Sequence, residues 1–274
     1  MQAEMNRIDA ADVLELRIAD AGEPGGDFGL ALRRRGDGGA DQPPDARIPI
    51  TEVRRSGRRI TAGLSGLPIA DGAWEVLWTD REGRSGAVAT TDPGLHLADR
   101  FAYLERPRRR VLRLLRDERG RLLLRSSSAS PYAEVARVRL DGDRVLLSGV
   151  LAYTPDPQDA SALLIARQRG LDGELSAPAE LDGRGFRCAV PLAPLAAAHR
   201  PERPHNEWDL WLRVPGTGAE LRLGSRADDV VGKKRKTVFP ETGLDGGPGR
   251  VLVRPYYTVH DDLSLLAVEA GGDR

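Results

Sequence analysis

A single cysteine, Cys188, stands in a chain of 274 residues. One thiol excludes an internal disulfide and argues against a cross-linked secreted scaffold. Lysine is nearly missing as well. Lys233, Lys234 and Lys236 are the whole complement, and the rest of the 41 basic residues are arginine. With abundant Ala, Gly and Asp, that bias reads as a GC-rich coding sequence before it reads as function. Net charge is absent, because 41 acids balance the 41 bases. No global field therefore draws the chain to nucleic acid or to a membrane. No apolar run approaches the roughly 18 residues of a spanning helix. The opening MQAEMNRIDAADVLELRI lacks the charged-then-apolar pattern of a secretion signal. These absences point to a cytoplasmic protein without direct membrane insertion.

Helical periodicity is also scarce, and VPLAPLAAAHR (190–200) is the best helical candidate. What fills the chain is short alternation: DVLELRI (12–18), GLALRR (29–34), RITAGL (59–64), WEVLW (74–78), RVLRLL (110–115), RVLLSGVLAY (144–153), WDLWLRV (208–214), RVLVRPYY (250–257) and others. Period-two alternation places one set of side chains in a core and the other in water. Gly, Pro, Asp and Asn gather between the runs, as turns require. Many short strands with few helices predict an all-β fold of the sandwich type.

The order of these runs repeats. LRRRG (32–36) matches ARQRG (166–170), and AWEVLW (73–78) matches EWDLWL (207–212), both at an offset of 134. RVLRLLRDERGRLLLR (110–125) resembles RVLVRPYYTVHDDLSLLAV (250–268). A repeated order of elements reads as a tandem duplication. The boundary falls near SSSASP (126–131), which gives two similar β-sandwich domains over 1–128 and 129–274.

Residues with chemistry are sparse. His96, His199, His205 and His260 lack zinc-ligand spacing, and His199 and His205 are expected at the surface. No metal and no cofactor is expected. No G-x-S-x-G elbow occurs, and alternation in FRCAV buries Cys188. DGD (141–143) is an Asp-x-Asp by letter but links two strands as a turn. Two basic stretches stand out. RPRRRVLRLLRDERGRLLLR (106–125) would line one face with Arg108, Arg110 and their neighbours, and GKKRK (232–236) gathers Lys233, Lys234, Arg235 and Lys236. Either could meet a phosphate-rich polymer, an acidic surface or anionic lipid. Nucleic acid is not expected, because the first stretch has no aromatic faces beside its cations. Trp74 and Trp78 share a strand face, whereas Trp208 and Trp211 point to opposite faces. Arg254, Tyr256, Tyr257 and His260, with Trp208 and Trp211, form the expected ligand lip. Against this stands the plainer reading of YYTVHDD as the turn of a closing hairpin.

WDLWLRV, KKRKTVFP and VRPYYTVHDDLSL, within residues 208–266, resemble the C-terminal accessory region of actinobacterial family 2 glycosyltransferases and teichoic-acid-type polymer transferases. The resemblance implies tandem immunoglobulin-like β-sandwiches, a glycan or anionic surface polymer as ligand, a transferase catalytic subunit as partner, and a homo-oligomer. Nothing in the chain resembles that family's parallel α/β catalytic domain. Two readings stay open from the sequence. One is a non-catalytic module that binds a polymer or assembles a transferase complex. The other is a transferase-type or biosynthetic enzyme with its site between the domains, using Tyr257, His260 and Asp261 for acid–base chemistry and Arg254 to hold an anion.

Overall fold

The computed structural model describes residues 1–19, 28–36, 47–94, 97–216, 220–228, 230, 232–246 and 249–271, without the side chains of 97 and 98. His96 lies outside the described residues. The chain divides into two compact units, 1–130 and 131–274. Both are built almost wholly of strands. Among the described residues no helix is long and apolar enough to cross a membrane.

The first unit holds β1 (Gln2–Ile8), β2 (Val13–Ile18), β3 (Gly29–Arg34), β4 (Arg47–Ile50), β5 (Val53–Ser56), β6 (Arg59–Gly63), β7 (Gly72–Thr79), β8 (Ser85–Ala87), β9 (Ala89–Thr90), α1 (Leu97–Leu104), β10 (Arg110–Arg116) and β11 (Leu122–Ser128). One sheet has the order β5-β6-β2-β1-β9, and the other β10-β11-β7-β3-β4 with β8 against β7. The inward residues of both sheets meet in a single core. Leu14, Leu16, Ile18 and Ile60 come from the first sheet, and Leu30, Leu32, Trp74, Val76, Leu122 and Leu124 from the second. This is the period-two rule at work, since every second side chain of these strands leaves water. The helix α1 was not expected, because LADRFAYL is too short to show a periodic pattern against its surroundings.

The second unit holds β12 (Tyr132–Asp141), β13 (Arg144–Ala152), β14 (Ser161–Gln168), β15 (Glu174–Asp182), β16 (Gly185–Pro191), α2 (Ala193–Ala197), β17 (Asn206–Arg213), β18 (Glu220–Gly224), β19 (Thr242–Gly246), β20 (Gly249–Tyr257) and β21 (Leu263–Glu269). Its strand order, β14-β15-β16-β13-β12-β18-β17, returns to β14 through a β14–β17 ladder, and β21, β20 and β19 extend from β17. The strands of this ring surround a core that includes Leu147, Leu164, Phe186, Trp208, Leu210 and Leu265.

The two units share their pairing scheme. The order β5-β6-β2-β1-β9 recurs as β15-β16-β13-β12-β18. Leu32 pairs with Val76, and Ala166 pairs with Leu210, each residue 134 positions on. The first strand of each unit carries a bulge, between Ala3 and Met5 and between Val135 and Arg137. The difference lies in two connections. Where the first unit breaks into β4 and β5, the unbroken β15 pairs with β14 on one side and β16 on the other. Likewise β18 reaches both β12 and β17, where β8 and β9 are separate short strands. The second unit is therefore a closed ring, and not the pair of separate sheets expected from the sequence.

The closing hairpin answers what YYTVHDD is. Thr258 N–H donates to the Asp262 carbonyl at 2.9 Å, and Asp261 N–H to the Thr258 carbonyl at 3.2 Å. The Thr258 hydroxyl oxygen accepts the N–H of His260 and of Asp262, both at 3.2 Å. In the first unit Asp117 makes the matching set of bonds to Arg119, Gly120 and Arg121. The left-handed position is Gly120 (φ 74°) in one turn and Asp261 (φ 58°) in the other. A three-residue hairpin loop needs a residue of this kind.

Candidate functional site

The expected lip does not assemble. Tyr257 is 6% exposed and packs on Phe239, with ring centroids 5.7 Å apart. Burial pushes its phenol up to about 12. Tyr256 faces the other way and donates its hydroxyl to Glu207 at 2.6 Å. Trp208 is fully buried, so it is a core residue and not a ligand contact. Trp211 is half-buried beneath the Arg222 guanidinium, 5.3 Å from its ring centre. His260 is exposed, Arg254 half-buried, and the Asp261 carboxylate accepts the backbone N–H of Gly232 (3.1 Å) and Lys233 (2.7 Å). Tyr257 is buried, the Asp261 carboxylate is taken up by backbone N–H groups, and His260 is exposed, with no side-chain hydrogen bond joining the three among the described residues. They do not converge as an acid–base group must.

The two basic stretches are also corrected. Arg108 has a side chain 8% exposed, stacks 3.4 Å above the Tyr103 ring and binds Asp12 at 2.9 Å. Arg110 donates to the carbonyls of Leu64 (2.8 Å) and Leu67 (2.5 Å). Both serve packing rather than an open face. Lys233 is buried, with its ammonium on Asp228 (2.6 Å) and on the carbonyls of Ser225 and Val230 (2.7 Å each). Lys234, Arg235 and Lys236 remain exposed on the following turn. His199, expected at the surface, is buried, and its Nδ1 lies 2.9 Å from the Asn206 amide. Cys188 is buried, and desolvation pushes its thiol up to about 12, which removes it as a nucleophile at neutral pH.

A different site appears on the second unit. The outward side of β12, β13, β16 and β15 is concave and encloses a groove of about 860 Å³. Its basic lining is Arg137, Arg139, Arg144 and Arg187, with Glu180 as the one carboxylate. Register sets the geometry. Glu180 lies opposite Arg187, Arg187 opposite Ser148, and Ser148 opposite Arg137. The next row runs from Ala189 to Leu146 to Arg139. The third runs from Pro191 to Arg144 to Asp141. Alternation sends Val145, Leu147, Phe186 and Cys188 inward to the core, so the facing set is left to the groove. Arg137 and Arg187 form no ion pair among the described residues. Among the described residues Arg139 and Arg144 form ion pairs only with Asp141 at 3.6 Å and Asp143 at 3.9 Å, with all four side chains more than 60% exposed. Exposed contacts of that length neutralise little.

The first unit shows what this face looks like when it is neutralised. Its register is anchored by the bulge, after which Met5 pairs with Arg17 as Arg137 pairs with Ser148. Arg7 then corresponds to Arg139, Arg59 to Arg187, and Glu15 to Leu146. Glu15 accepts Arg7 at 2.8 Å and Arg59 at 2.8 Å. Burial pushes the Glu15 carboxyl up, but these hydrogen bonds hold it below its ordinary value. The bulged Glu4 accepts Arg58 at 2.7 Å, and its counterpart at the second bulge is Ala136. The second unit keeps the two arginines that Glu15 holds, as Arg139 and Arg187, and places Leu146 where that carboxylate stood; Glu4 gives way to Ala136 and its partner Arg58 to Phe186. Four guanidiniums around an apolar floor of Leu146, Ala189, Pro178 and Pro191 can take an anion with bidentate geometry, such as a phosphate or carboxylate. Among the described residues that line it, the groove has no aromatic face on which a sugar ring could stack.

No protein-family model matches the chain. No curated protein matches it either. Among solved structures, residues 217–571 of TarS from S. aureus align with a TM-score of 0.39 and 14% identity, covering 57% of this chain and 44% of that one. A longer TarS structure gives the same score and identity over 58% of this chain and 28% of that one. Pullulanase from Anoxybacillus sp. LM18-11 aligns at 0.21 and 9% identity, over 89% of this chain and 29% of that one. The chain therefore spans less than half the length of the TarS structures it matches, and none of these alignments assigns it a family or an activity.

Proposed function

We propose that this chain is a non-catalytic accessory module, made of two related β units, that binds a stretch of anionic surface polymer and presents it to a transferase catalytic subunit. The observation that carries the reading is the arginine-lined groove on β12, β13, β16 and β15, with four guanidiniums and one carboxylate. A polymer with phosphates along a polyol backbone suits its chemistry. The phosphates supply the negative charge that Glu15 supplies to Arg7 and Arg59 in the first unit. The aliphatic links can lie over Leu146, Ala189 and Pro178. Arg137 and Arg187 flank Ser148 on strands that lie roughly 10 Å apart, twice the inter-strand spacing.

Calorimetric titration with a short poly(glycerol phosphate), and with neutral dextran of the same length, tests this. The expected result is salt-sensitive binding of the phosphate polymer only, weakened about tenfold by Arg137→Ser and again by Arg187→Ser. Equal binding by the double variant, or equal binding of dextran, overturns the reading. Light scattering on the same samples reports whether the chain is a homo-oligomer.

A further inference from the structure

One end of the second unit combines cations with exposed aliphatic side chains. Val238 (76% exposed) and Val259 (65%) are the two most exposed large apolar residues among the described ones, and Val230 (40%) lies in the same region. Lys234, Arg235 and Lys236 are exposed on the turn that leads into Val238, in which Lys236 and Thr237 donate N–H to the Lys233 carbonyl. The hairpin tip that carries Val259 and the loop that carries Val238 form one body. Asp261 in the tip holds Gly232 and Lys233, and Phe239 packs on Tyr257. Lys233 is turned inward, 5.8 Å over the Tyr257 ring, which locks the loop from beneath. At the preceding segment, the buried Glu134 accepts N–H of Arg226 (2.9 Å) and Ala227 (3.2 Å).

We infer that this knob docks on an anionic membrane surface, with Val238 and Val259 entering the interface while Lys234 and Arg235 meet lipid headgroups. Three arguments favour that partner. Basic side chains beside exposed aliphatic ones match an interface with an apolar interior and a negative rim. A rigid loop gives up little conformational freedom on docking. A protein partner's hot spot favours Trp, Tyr or Arg in a packed pocket, and two isolated valines at 76% and 65% exposure offer no pocket. The inference stands on residues separate from the arginine groove, so either can fail alone.

Vesicle co-sedimentation of the whole chain tests it. The vesicles contain phosphatidylglycerol and phosphatidylcholine at three to seven, with pure phosphatidylcholine as the comparison. Wild type is expected in the pellet with the anionic vesicles and in the supernatant with the neutral ones. Each of Lys234→Ser and Arg235→Ser should weaken binding about fivefold. Val238→Asp with Val259→Asp should abolish it at unchanged melting temperature, because exposed valines contribute little to the core. Arg137→Ser with Arg187→Ser should leave it unchanged. The inference is overturned if wild type stays in the supernatant, or if the double valine variant binds as wild type does. It is also overturned if the groove variant alone removes binding, since the vesicle would then be held by the groove.

Discussion

Glu15 and Leu146 occupy the same place in the two units, each directly opposite an arginine, Arg7 in one case and Arg139 in the other. The carboxylate draws Arg7 and Arg59 together, whereas the leucine leaves Arg139 and Arg187 their charge. A pair of reciprocal substitutions follows from this. Leu146→Glu should close the groove to anions, with a loss of poly(glycerol phosphate) binding of tenfold or more and no loss of thermal stability. Glu15→Leu should expose a new anion-binding face on the first unit and lower stability by about 1 kcal/mol, as expected for a partly exposed ion-pair group. Titration of both variants checks the pair. Unchanged binding in Leu146→Glu would remove the groove as the site.

Asp261 combines a left-handed backbone (φ 58°) with a carboxylate that holds two backbone N–H groups. Asp261→Ala loses the bonds and keeps the strained backbone. Asp261→Gly loses the bonds and relieves the strain. Chemical denaturation should therefore find the alanine variant about 1 kcal/mol less stable than the glycine variant. Both should fall below wild type by about 2 kcal/mol or more. Equal stabilities of the two variants would show that the backbone carries no strain there.

His199 gives the fold a pH dependence of definite sign. Burial lowers its pKa, although Glu269 and Glu202 pull it upward. The unfolded chain then binds the proton more readily than the folded one. Stability is full above the ordinary histidine value of about 6.5 and declines as pH falls below it. Glu15, Asp209 and Glu220 are held below their ordinary carboxylate values, so their contribution is lost only at more acidic pH. Urea melts at pH 7.5 and 5.5 should show the difference, and His199→Gln should reduce it. A difference that persists unreduced in the variant would assign it to other groups.

The two tryptophans of WDLW should behave oppositely. Trp208 is 0% exposed, and Trp208→Ala should destabilise by about 3–5 kcal/mol or prevent folding. Trp211 is half-buried on the outer face, and Trp211→Ala should change stability by about 1 kcal/mol or less. Intrinsic fluorescence separates them. Trp208 should emit at the blue end in native protein, and its removal should leave a spectrum shifted to the red.

Strands were legible because alternation is a local signal. DVLELRI and RVLLSGV declare their inward faces without reference to anything else. The recurrence of LRRRG and AWEVLW at one offset also carried through to paired residues, since Leu32–Val76 and Ala166–Leu210 hold matching places. The groove was not legible. Arg137, Arg144 and Arg187 lie on three strands, and only register brings them to one face. The absence of Glu15's counterpart became visible only after the bulges aligned the two units. Loops hid their contents for a different reason. Nothing in GKKRK distinguishes the inward Lys233 from the outward Lys234, because a loop has no period. Nor did RPERP reveal that His199 is covered, since a buried Asn206 seven residues later holds it.

The ring of the second unit is narrowest where β12 meets β18, over just two residue pairs, Ala133–Leu223 and Glu134–Gly224. The buried Glu134 sits on that seam. Its carboxylate accepts the Tyr132 hydroxyl at 2.7 Å and the N–H groups of Arg226 and Ala227 just past β18. It acts as the clasp of a hoop. With the clasp open, β12 becomes the free rim of a curled sheet, and β12 is the strand that carries Arg137 and Arg139. The curvature that makes the arginine face concave is thus tied to one carboxylate a few residues up the same strand.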